Sequence, residues 1–142
     1  MKIIVSFVLA LTGIFSATAQ KVEIKKDIVY FNENAILKYD KINAGEISFY
    51  SLSGDETLYY RYFPGRPGVN PVPEYFALNF VSSHIKIETT DLGRIASLGI
   101  KNAMEKLIAW LVKEKVICAD GSVDLLRLNA FYEKYNEMIP NK

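Results

Sequence analysis

The chain has 142 residues, 17 Lys and Arg against 16 Asp and Glu, half of its residues hydrophobic, and eight glycines, five prolines and one cysteine. This composition excludes collagen-like, intrinsically disordered and disulfide-stapled classes. The near balance of charge excludes a general attraction to nucleic acid, anionic membrane or acidic substrates.

Met1 to Ala19 reads as a removable export signal. Lys2 supplies a positive start, Ile3 to Phe15 an apolar run broken only by Ser6, Thr12 and Gly13, and Ala17-Thr18-Ala19 the small residues of a cleavage position. Cleavage before Gln20 is expected, leaving 123 residues with 16 basic and 16 acidic side chains as one domain over 20–142. The apolar run is shorter than the ~20 residues of a spanning helix. No cysteine follows it to carry a lipid. The expected product has no stable membrane anchor and works in the periplasm or outside the cell. In an oxidising compartment the lone Cys118 has no partner within the chain, and its apolar neighbours Val116, Ile117 and Ala119 favour a buried, small-hydrophobe role over an intermolecular bridge.

From Gln20 onward, short β-type runs alternate with turn-type clusters at the spacing of an antiparallel meander. Lys21 to Phe31 reads as one strand, with Val22, Ile24, Ile28 and Tyr30 in one parity, followed by a turn at Asn32-Glu33-Asn34 and a strand over Ala35 to Ile42. Asn43 to Glu46 turns into Ile47 to Ser53. Gly54-Asp55-Glu56, with Gly54 supplying positive φ, turns into Thr57 to Phe63. In that strand Leu58, Tyr60 and Tyr62 share one face and Tyr59, Arg61 and Phe63 the other. Pro64 to Pro73 holds four of the five prolines and reads as an ordered loop. Strands follow at Tyr75 to Val81 and Ile85 to Glu88, with a bulge or turn at Ser82-Ser83-His84. A helix is expected from about Leu98, with the stripe Ile100, Ala103, Met104, Leu107, Ile108 and Leu111. Asp120-Gly121-Ser122 stops it and caps a second helix, whose stripe is Leu125, Leu128, Phe131, Tyr132, Tyr135 and Ile139. Five or six strands followed by two helices on one face of the sheet make an α+β fold. An antiparallel sheet can leave its other face in water, so tyrosines on that face are expected to be partly exposed.

Catalytic constellations are thin. One histidine and one cysteine do not build the usual zinc shells, and Asp120 to Asp124 lacks the later glycine and glutamate of a calcium loop, so no metal is expected and helix capping accounts for the acids. No nucleophile-elbow motif precedes a helix, and His84, beside Ser82 and Ser83, reads as a surface or rim residue. Asp55-Glu56 and Glu88 with Asp91 are the candidate carboxylate pairs for glycoside cleavage, but turn and cap roles explain them. No glycine-rich phosphate loop is present, and no cofactor is expected. Tyrosine is favoured at recognition surfaces because it offers a rigid amphipathic face. Tyr50, Tyr59, Arg61 and Tyr62, beside the loop carrying Arg66 and Asn70, are the expected binding patch. The leading functional expectation is therefore an exported, non-enzymatic module that recognises a macromolecule other than nucleic acid through an aromatic sheet face. The alternative is a protein that binds a small apolar or sugar ligand in an aromatic-lined pocket between sheet and helices. A hydrolase using His84 ranks last.

Overall fold

The computed structural model describes residues 20–142, and the expected export signal lies outside the described residues. Seven strands pair in chain order into one antiparallel meander: β1 (Val22–Lys25), β2 (Ile28–Phe31), β3 (Asn34–Asn43), β4 (Glu46–Tyr50), β5 (Glu56–Phe63), β6 (Tyr75–Phe80) and β7 (Ile85–Thr89). A short 3-10 turn at Leu92–Arg94 leads to helices α1 (Ile100–Lys113) and α2 (Leu125–Tyr135). Among the described residues no helix is long and apolar enough to cross a membrane.

The α+β meander with two C-terminal helices agrees with the sequence, but the strand count is seven rather than five or six. The extra strand comes from Lys21 to Phe31, which folds back on itself at Lys26 and Asp27, both at positive φ (49° and 64°). Such a two-residue turn reverses the chain without the usual glycine. It also inverts the expected parity: Val22 and Ile24 face the core opposite Phe31 and Val29, while Ile28 and Tyr30 belong to the other side.

The buried face is built from cross-strand rows. Tyr39, Phe49, Leu58, Phe80 and Ile85 line up across β3 to β7, and Ile47, Tyr60, Leu78 and Ile87 form the next row. Met104, Leu107, Ile108 and Leu111 of α1 and Leu128 and Phe131 of α2 complete this core. The α1 stripe is therefore as its spacing predicts. The helix begins two residues later than expected, because Gly99 precedes it at φ 88°. In α2, Leu128 and Phe131 are buried, whereas Leu125 and Tyr132 face water and Ile139 is buried beyond the helix end. The cap is also displaced. Lys115 at φ 64° ends the first helix and the Asp124 carboxylate accepts the Arg127 N–H at 3.1 Å, so Asp124 rather than Ser122 caps α2.

Each open edge of the sheet is met by the helical half of the chain, which occupies edge groups that would otherwise stand unpaired. On β1 the Ile24 N–H donates to Glu105 of α1 at 2.9 Å. On β7 the Glu88 N–H donates to Asn136 Oδ1 at 2.9 Å and the Glu137 N–H to the Glu88 carbonyl at 2.9 Å. Burial opposes charge on Glu137, but the hydroxyls of Thr89 and Thr90 and the Thr90 N–H outweigh it and hold its carboxyl below the usual range.

Tyr60 gives the core a measurable alkaline signature. Burial first, then the neighbouring Tyr62 and Glu74, push its phenol up to about 12. The folded state favours the neutral phenol, so this stabilisation is complete below the unfolded value near 10 and is lost as pH rises through 12. A shift of this size is worth about 2–3 kcal/mol. Denaturant titrations at pH 9 and pH 12 are expected to show Tyr60→Phe losing that much less stability than wild type; equal losses would contradict the assignment.

Candidate functional site

Alternate turns of an up-and-down meander fall at the same end of the sheet. The β4–β5 turn (51–55) and the β6–β7 turn (81–84) therefore meet at one end, while the proline loop and the β3–β4 turn lie at the other. Gly54 stands at φ 102° in the first of these turns, as its sequence position predicts. Ser51 braces that turn by accepting the Asp55 N–H on its hydroxyl at 3.0 Å. His84 takes φ 55° in the second.

A third segment joins them. Between the helices the chain folds into a small hairpin in which Ile117 bridges Val123, the Cys118 N–H donates to the Ser122 carbonyl at 2.8 Å, and the Asp124 N–H donates to the Val116 carbonyl at 2.9 Å. Val116 and Ile117 anchor it in the core. Cys118, expected in the core, is half-buried and free. Asp120 accepts both the N–H and the hydroxyl of Ser122, at 3.0 and 2.6 Å, and these bonds lower its carboxyl below the ordinary value.

The connector lies hard against β3. The register of β2 on β3 slips between Val29 and Tyr30, leaving Ile36 as the extra, bulged residue. A Cβ at Gly121 would stand 2.1 Å from the Ile36 carbonyl oxygen, and Gly121 is at φ 87°. Only glycine lets the two backbones approach this closely.

These three segments enclose an open cavity of about 740 Å³. Ile36, Phe80 and Val123 form its apolar wall, with Leu52 and Leu125 at the mouth. Ser51, Ser53, Thr57, Ser82, Ser83 and Ser122 bring hydroxyls, and Asp55, Glu56 and Asp120 bring carboxylates. The lining contains no Lys, Arg or His. The volume is in the range of small-molecule sites. It departs from the expected pocket in position and chemistry: it sits at the sheet end, and Phe80 is its one aromatic residue.

The sequence-predicted patch divides into three. Register places Tyr50, Tyr59 and Arg61 on the uncovered face, across from Lys38, Ser48 and Glu46. Tyr50 and Tyr59 are half-buried there and Arg61 is exposed, with Glu46 accepting the Tyr59 hydroxyl and lying 4.0 Å from Arg61. Tyr62 stands on the opposite face, its hydroxyl donating to Glu74 at 2.5 Å. Arg66 and Asn70 lie in the proline loop at the far end from the cavity, where Arg66 donates to the Asn141 carbonyl at 3.2 Å. Tyr62, Arg66 and Asn70 therefore do not join the sheet-face group.

Other candidates stay apart. The His84 ring makes no hydrogen bond among the described residues, and Glu88 is a buried strand residue paired with Lys142 rather than a turn residue. Among the described residues no group of three or more His, Cys, Asp or Glu side chains is gathered as a metal site requires. No family model, curated protein or solved structure matches the chain.

Proposed function

We propose that the chain is an exported binding protein whose ligand is a small molecule held in the cavity at the sheet end. The observation that carries this reading is the convergence of the β4–β5 turn, the β6–β7 turn and the helix connector around about 740 Å³ of open space. An apolar wall with convergent polar groups is the usual construction of a small-molecule site, the wall supplying affinity and the polar groups orientation. Rigid support favours the reading as well, since Gly121 presses the connector onto β3 and Asp124 fixes the start of α2.

Recognition of a macromolecule through the uncovered sheet face is the second reading. It is favoured by Tyr50, Tyr59 and Arg61 sharing that face. The Tyr59 hydroxyl is already held by Glu46, which leaves its ring, rather than its polar tip, for a partner.

Native mass spectrometry of protein purified from its own source separates the two. The cavity reading predicts an added small mass that disappears on denaturation and is absent from Leu125→Trp, which fills the mouth from an exposed position. An added mass retained by Leu125→Trp but lost from a Tyr59→Ala, Arg61→Ala variant would overturn it.

A further inference from the structure

Resting on the cavity reading, the polar groups of the lining can be sorted by what they have left to offer. The hydroxyl protons are largely spent within the chain. Ser53 donates to Asp55 at 3.4 Å, Thr57 to the Asp55 carbonyl at 3.4 Å, Ser83 to the Phe80 carbonyl at 3.3 Å and Ser122 to Asp120 at 2.6 Å. With Ser53 donating to Asp55, its 2.8 Å contact with Ser51 takes the Ser51 proton. Ser82 alone among the lining hydroxyls has no intramolecular bond among the described residues. The carboxylates are the reverse case. Asp55 and Asp120 each accept on one oxygen only, and Glu56 accepts the Ser48 hydroxyl on one oxygen at 3.0 Å. A carboxylate pair of oxygens offers about four acceptor positions, so each retains spare capacity.

The lining is therefore rich in acceptors, poor in free donors and negative, with no basic side chain to offset it. An anionic ligand would meet repulsion without a charge partner, and burying an unpaired charge is costly. A ligand that brings its own N–H donors and a positive charge, with a hydrocarbon body to lie on Ile36, Phe80 and Val123, satisfies every wall at once. We infer that the cavity takes a small organic ammonium ion with an apolar body.

Three probes of equal chain length test this: hexylammonium, hexanol and hexanoate, each titrated into the mature chain while the amide resonances of the two turns and the connector are followed. Binding is expected in the order ammonium, alcohol, carboxylate, with at least a tenfold gap between the first and last that narrows in high salt. Asp55→Asn with Asp120→Asn keeps side-chain oxygens able to accept from Ser53 and Ser122. It is expected to bring hexylammonium down to the affinity of hexanol while leaving hexanol unchanged. Ser82→Lys, which puts a cation at the one uncommitted hydroxyl, is expected to weaken hexylammonium selectively and guards against a folding defect in the double variant. Equal binding of all three probes, or a preference for hexanoate, would overturn the ammonium assignment and leave the cavity reading standing. No shift in cavity resonances with any probe would overturn both.

Discussion

Gly121→Ala is expected to be among the most damaging single-methyl changes in this chain. The new Cβ would meet the Ile36 carbonyl oxygen at 2.1 Å and the carbonyl carbon at 3.0 Å, and neither backbone atom can swing aside as a side chain does. The residue is also at φ 87°, where an L side chain is strained. Relief requires the connector to lift away from β3, losing the packing that closes the cavity. The expected cost is about 2–4 kcal/mol, from overpacking and backbone strain together. That corresponds to a fall of roughly 10 °C in Tm. Gly54→Ala is the control, because it stands at φ 102° with nothing within 4 Å of the added methyl. It should lose only about 1–2 kcal/mol. Equal losses in the two variants would mean that the connector does not press on the sheet.

Phe131→Ala is expected to cost about 3–5 kcal/mol, the range for deleting a buried phenylalanine ring. Phe131 is 2% exposed and its ring centroid lies 4.7 Å from those of both Trp110 and Tyr135. The Arg94 guanidinium lies over Trp110 at 4.7 Å and over Tyr135 at 4.9 Å, so one cation and three rings tie the end of α1 to α2. The cluster joins the last turns of α1 to the middle and end of α2. The Trp110 indole N–H has no hydrogen-bond partner among the described residues. Opening the cluster lets water reach it, and the single tryptophan reports this as a red shift in emission. Tyr132, one residue along, is 41% exposed. Tyr132→Ala should change stability by no more than about 0.5 kcal/mol. Comparable losses at the two positions would contradict the packing of α2.

How far these features could be read from sequence depends on how local their causes are. The α1 stripe and the Gly54 turn were legible because 3.6-residue periodicity and a positive-φ glycine are local signals. The β1–β2 turn was not, since Lys26 and Asp27 take left-handed backbone without glycine or proline to mark it. The exposure of Tyr132 was hidden because stripe spacing does not tell how far the apolar contact extends around a helix. The splitting of the tyrosine patch was half visible: alternation already separated Tyr59 from Tyr62, while the distance of Arg66 and Asn70 from the cavity follows from which sheet end each turn occupies. The same rule places Ser51–Asp55 beside Ser82–Ser83. The third wall was out of reach of sequence, because the contact of Gly121 with Ile36 is made between residues 85 positions apart and requires a β-bulge.

Three segments distant in sequence line the cavity proposed as the ligand site. Amide chemical-shift mapping of residues 20–142 against a panel of small neutral and charged fragments tests that proposal most directly. Fragments that bind are expected to perturb Ser51 to Thr57, Ser82 and Ser83, and Asp120 to Leu125 together, as one surface. Perturbations confined to Tyr59, Arg61 and their neighbours on the open sheet face, or none in the three segments, would contradict it.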